Sequence, residues 1–136
     1  MAAMSGSSVR MEGGTLSARF APMTENVVEA RRLLRSLPAW MAPATVADLE
    51  VIVSELASNA ITHARTPFEV RVRTGDTVRI EVIDGSSMPP EMRRPSYADP
   101  SGRGLLIVDA YSDDWGYDLL PGGKVVWAQL SRRRHE

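Results

Sequence analysis

The sequence predicts an α+β sandwich: two layers, with helices on one face of a mixed, mostly antiparallel sheet. Two observations carry this. Apolar residues recur at helical spacing through Val27 to Leu37 and again through Val46 to Ala64. From Phe68 onward the period falls to two, the mark of half-buried strands, broken by turn residues at Thr74-Gly75-Asp76-Thr77 and Pro121-Gly122-Gly123. At 136 residues and 43% apolar, the chain is sized for one domain with its own core.

Met1 to Gly14 is small and polar and reads as a flexible N-terminal segment, residues 15–131 as the domain, and residues 132–136 as a flexible, solvated basic tail. Thr15 to Phe20 alternates loosely, as a first strand would. Thr24 is placed to cap a helix in which Val27, Ala30, Leu34 and Leu37 share a face, ended by Pro38. Ala39 to Pro43 is a connector. A longer helix spans about Thr45 to Ala64, with Thr45 and Asp48 resembling a capping box and Val46, Leu49, Val53, Leu56, Ala60 and Ala64 forming the buried stripe. Thr66-Pro67 stops it. Phe68, Val70 and Val72 alternate with charged residues, as do Val78, Ile80 and Val82 in a strand ending at Asp84, so the two read as an antiparallel pair. Gly85 to Ser101 has no periodicity and four prolines, and a loop of that length in a compact domain is commonly functional. Gly102-Arg103-Gly104 then opens onto a short helix, Leu105 to Tyr111, and Trp115 to Leu119 with Lys124 to Leu130 makes a closing hairpin.

Composition excludes several functions. A net charge of -1 and a pI near 6.1 give no basic field for direct nucleic-acid binding. No apolar run is long enough to span a bilayer, and the first residues lack the pattern of a signal peptide, so a cytoplasmic protein is expected. The chain has no cysteine, and its two histidines are far apart, which rules out thiolate sites and a His-rich zinc hydrolase. Lys124 is the one lysine among many arginines, a bias typical of GC-rich coding.

Three groups of residues bear chemistry. Glu55, Asn59 and His63 are four residues apart on the long helix, on one face and off the apolar stripe. A carboxylate there can take a proton from a hydroxyl, and an amide oxygen is a hard ligand suited to magnesium, which keeps waters and phosphate oxygens as its other ligands. Spacing alone leaves open that the three are simply the wet face of the helix. Asp84 can accept a hydrogen bond from an exocyclic amine such as that of adenine, or end its strand in an Asx-turn. Gly102-x-Gly104 before a helix offers backbone N–H groups to phosphate, though glycines serve many turns.

Taken in order, Glu-x-x-x-Asn on a helix, two strands ending in Asp-Gly, a long loop and Gly-x-Gly-Leu resemble the Bergerat fold of the GHKL ATPases. Glu55-Leu56-Ala57-Ser58-Asn59-Ala60-Ile61-Thr62-His63-Ala64 is similar to the N box of the anti-sigma-factor serine-protein kinases. Gly102-Arg103-Gly104-Leu105 and Gly123-Lys124-Val125-Val126-Trp127 are similar to the small actinobacterial members, and the resemblance covers about Thr15 to Leu130. It implies ATP and Mg2+ as ligands, with Asn59 on the metal, Glu55 as general base and Asp84 on the adenine amine. It implies that Gly102, Arg103, Gly104 and Leu105 line the phosphates, that His63 touches them, and that Gly85 to Ser101 is a lid. Ser86 and Met88 would border the nucleotide where the family's Asp-x-Gly-x-Gly has glycines. The implied function is an anti-sigma regulator that phosphorylates a serine or threonine of an anti-anti-sigma partner of the STAS fold, binds a sigma factor and forms homodimers. The altered glycines keep open a non-catalytic module in which ATP only holds a partner-binding conformation. A histidine-kinase reading would need a separate protein to supply the phospho-accepting histidine.

Overall fold

The alternating stretches become strands of one sheet in the computed structural model, which describes residues 9–90 and 103–135. The strands are β1 (Arg10–Glu12), β2 (Thr15–Phe20), β3 (Phe68–Thr74), β4 (Thr77–Asp84), β5 (Asp114–Leu120) and β6 (Gly123–Ser131). Their spatial order is β1-β2-β3-β4-β6-β5, and every described pair is antiparallel where the sequence allowed a mixed sheet. The parity of each strand puts one apolar set on one face: Leu16, Ala18 and Phe20; Phe68, Val70 and Val72; Val78, Ile80 and Val82; Val126, Ala128 and Leu130, all buried. Phe20 and Phe68 are register partners, and their rings stack at 5.5 Å.

Three helices, α1 (Asn26–Leu33), α2 (Pro43–Asn59) and α3 (Arg103–Tyr111), cover that face. α2 packs against both α1 and α3 and against β4, and its Leu49, Ile52, Val53 and Leu56 meet the sheet's apolar set in one continuous core. No helix among the described residues is long and apolar enough to cross a membrane.

Element ends differ from the expectation for identifiable reasons. Thr24 does not cap α1: its hydroxyl donates to Glu25, and the entry is held instead by buried Asn26, whose side-chain amide donates to Ala21 O at 2.9 Å. α2 starts at Pro43, a residue suited to the first helical position, so Thr45 lies buried inside the first turn rather than capping it. The N-terminal segment is not wholly free of structure. Gly13 and Gly14, both at positive φ, form a two-residue turn that folds Arg10–Glu12 back onto β2. Arg132, Arg133 and His135 of the basic tail are exposed and Arg134 is half-buried, and three of the four make contacts with the domain. Arg134 pairs with Asp48 at 3.4 Å and with Asp113, His135 Nε2 lies 2.7 Å from Asp48, and Arg132 stacks over Trp40.

Leu49 is fully buried where α2 meets the sheet. Leu49→Ala should therefore cost about 2–5 kcal/mol, read as a lower urea midpoint with an unchanged native circular-dichroism spectrum.

Candidate functional site

Because the apolar stripe of α2 faces the sheet, Glu55 and Asn59 are left half-buried at its margin. The α-helical hydrogen bonding ends at Asn59, and Ala60–Ala64 continues as a π-helical turn. Arg65 closes it, in the left-handed region at φ 57°, with its N–H donating to Ala60 O at 2.9 Å. Such wide turns are frequent at functional sites. Here the turn keeps His63 on the same cavity as Asn59, with His63 at the exposed mouth.

Across from α2, β4 ends on Asp84, which parity places on the inner face and which is buried. Its Oδ1 accepts the Ser86 N–H at 2.9 Å, so Asp84 does form an Asx-turn. Asp84 also lines the cavity, so its role in the turn does not take it out of reach of a ligand. Lys124 on β6 faces it, with Nζ 3.1 Å from Oδ1 and 3.0 Å from Oδ2, both side chains being almost entirely buried. The next residue is tied back to α2's exit, since Gly85 N–H donates to Thr66 Oγ1 at 2.8 Å. The start of β6 runs so close that a Cβ on Gly123 would overlap the Asp84 carbonyl oxygen.

Together these elements enclose a cavity of about 270 Å³, near the lower end for small-molecule sites. Leu56, Ala60, Val82, Leu105 and Val126 give it apolar walls, while Asn59, His63, Asp84, Ser86 and Lys124 supply the polar groups. Met88 lines the rim with its side chain largely exposed, and the Ser86 hydroxyl accepts the Met88 N–H at 3.2 Å. Serine at this position thus turns the chain that a glycine would leave free.

Asn59, His63, Asp84, Ser86, Met88 and Leu105 are therefore brought to one cavity. Glu55 lies one helical turn before Asn59 and is not part of the cavity wall. Burial pushes its carboxyl above the usual carboxylate range, and no described residue pairs with it. Arg103 and Gly104 form the start of α3 rather than a loop before it, and Gly102 lies outside the described residues, as do residues 91–101 of the expected lid. Sequence reasoning missed Lys124, Thr66 and Gly123 as site residues. Lys124 did leave a signal: it occupies the alternation of Val126, Ala128 and Leu130, where a lysine is out of place without a partner.

The donor set suits a hard cation held mostly by others. Among the described residues no group of three or more His, Asp or Glu side chains converges on a common point. The Asn59 amide reaches the cavity without a hydrogen bond to any described residue. One free amide oxygen fits magnesium whose other ligands are waters and phosphates.

Residues 20–130 match the family model of the histidine kinase-like ATPase domain. No curated protein matches the chain.

The contact between Gly123 and the Asp84 carbonyl generates a direct expectation. Gly123→Ala should destabilise the protein by about 1–3 kcal/mol through overpacking, measured by denaturant unfolding, and weaken any ligand held by Asp84.

Proposed function

The chain belongs to the histidine kinase-like ATPase domain family, and on that premise we propose that it is an ATP-dependent serine/threonine kinase of the anti-sigma type. The observation that carries the kinase reading is Glu55: a half-buried carboxylate without an ion-pair partner among the described residues, one turn before Asn59, on the helix that walls the cavity. A structural acid is usually paired or fully solvated, whereas a base for a hydroxyl gains from partial desolvation.

In this reading the adenine amine donates to Asp84, and the apolar walls hold the faces of the base. The first-turn N–H groups of α3 and the mouth residue His63 meet the phosphates. Asn59 would hold magnesium, which supplies charge neutralisation for the phosphates when bound. Glu55 accepts the proton of a serine or threonine hydroxyl presented by an anti-anti-sigma protein of the STAS fold, and that oxygen takes the γ-phosphoryl group as ADP leaves. Sequestering a sigma factor is the regulatory output that the resemblance of the Glu55-to-Ala64 segment supports.

A second reading has its own observation. Ser86 and Met88 replace glycines, and the Asp84–Ser86–Met88 hydrogen-bond chain stiffens the edge of the site. A stiff edge suits a module that binds ATP to hold a conformation without turnover.

Labelled ATP, magnesium and candidate STAS proteins separate the two. Transfer to a partner that is lost in Glu55→Gln, with ATP affinity retained, supports the kinase; ATP binding with no transfer to any candidate supports the module. Asp84→Asn should weaken ATP by roughly tenfold or more, the size of a lost charge-assisted hydrogen bond, and equal affinities in calorimetry would refute the adenine assignment.

The raised Glu55 carboxyl also sets a pH dependence. The base must be ionised to act, so acidification should remove transfer at a pH above the ordinary carboxylate range. The sign for stability is opposite. A carboxyl raised in the folded state binds more protons there than when unfolded, so this group favours the fold as pH falls through that window. Glu55→Gln should accordingly leave the melting temperature near neutral pH unchanged or higher.

A further inference from the structure

Lys124 is the chain's one lysine, and its ammonium is buried on the inner face of the sheet against Asp84. Stability does not explain it, because a buried ion pair contributes little more than well-packed apolar residues in its place. The pair's position does: both residues line the cavity, beside apolar Val82 and Val126. Asp84 is oriented by the Ser86 N–H and in turn orients Lys124, so the ammonium is fixed before any ligand arrives. An ammonium has three N–H donors, and Asp84 is its one described partner, which leaves a donor for a ligand.

We propose that Lys124 and Asp84 read the base as a unit. The carboxylate accepts from an exocyclic amine while the ammonium donates to the ring nitrogen beside it. That adjacent acceptor and donor complement the edge of a 6-aminopurine, whose amine donates and whose N1 accepts. A 6-oxopurine presents a carbonyl and an N–H in the opposite order and is opposed at both positions. Lys124 is thus a specificity-determining residue, and this rests on the ATP site proposed above.

The test uses ATP, 1-deaza-ATP, which lacks the N1 acceptor, and 7-deaza-ATP, altered away from that edge. Calorimetry on the full chain should find 7-deaza-ATP binding like ATP and 1-deaza-ATP weaker by roughly tenfold or more, as for a lost hydrogen bond to a charged donor. In Lys124→Met that difference should vanish, with ATP falling to the level of 1-deaza-ATP. Because the chain has a single lysine, labelling lysine with 15N at Nζ gives one ammonium resonance in the wild type. At saturation it should shift further with ATP and 7-deaza-ATP than with 1-deaza-ATP, a readout that stands even if the variant fails to fold. Equal affinities for ATP and 1-deaza-ATP, a difference that persists in Lys124→Met, or equal shifts of the resonance would overturn the assignment. Wild-type protein that binds none of the three nucleotides would instead remove the ATP reading, and this inference with it.

Discussion

The register between β4 and β6 is the constraint on which the site depends. Those strands are central neighbours, and their pairing sets Asp84 opposite Lys124 and Val82 opposite Val126 on the inner face. Strand side chains alternate, so a slip of β6 by one residue would turn Lys124 to the outer face and take it from Asp84. The apolar set nearer the middle of the sheet holds the register: Val78, Ile80, Ala128 and Leu130 are all fully buried beneath the helices. Gly123 tightens it, since no side chain fits between the start of β6 and the Asp84 carbonyl. The core therefore positions two charged residues at its own edge, where the helices leave a cavity instead of a packed contact.

The second half of the site comes from how α2 ends. Its stripe is bound to the sheet, which turns Glu55 and Asn59 to the margin of the core. The π-helical turn then keeps His63 at the cavity mouth, and left-handed Arg65 leads into Thr66, whose hydroxyl takes the Gly85 N–H. One short connection thus joins the helix carrying the carboxylate and amide to the strand carrying Asp84. The charges on this frame differ in kind. Asp84 is paired and immobilised, while Glu55 is partly desolvated and unpaired among the described residues, as a group that exchanges a proton requires.

Much of this was legible in the sequence because periodicity reports burial. The stripe through Leu49, Val53 and Leu56 and the alternation of β3, β4 and β6 are direct signatures of one-sided packing, and they located Asn59 and Asp84 correctly on the elements that bear them. The ends of elements were less legible. Thr24 and Thr45 have the chemistry of caps, yet neither helix has a side-chain cap: Asn26 fastens the entry to α1 through Ala21 O, and the ring of Pro43 sets the start of α2. β1 has no buried residue to betray it, and only the Gly13-Gly14 turn hints at the hairpin. Lys124 was hidden for another reason. Its significance lies in a partner 40 residues away, which only the fold brings within reach.

The central claim is that a nucleotide occupies the cavity between α2, β4, β6 and α3. The most direct measurement is an amide-shift map of the full chain titrated with ATP and magnesium. The account predicts that perturbations concentrate at Asn59, the π-helical turn, Asp84 to Met88 and Lys124 to Val126. Shifts absent from those segments at saturating ATP, or gathered instead on β1 or β5, would contradict it.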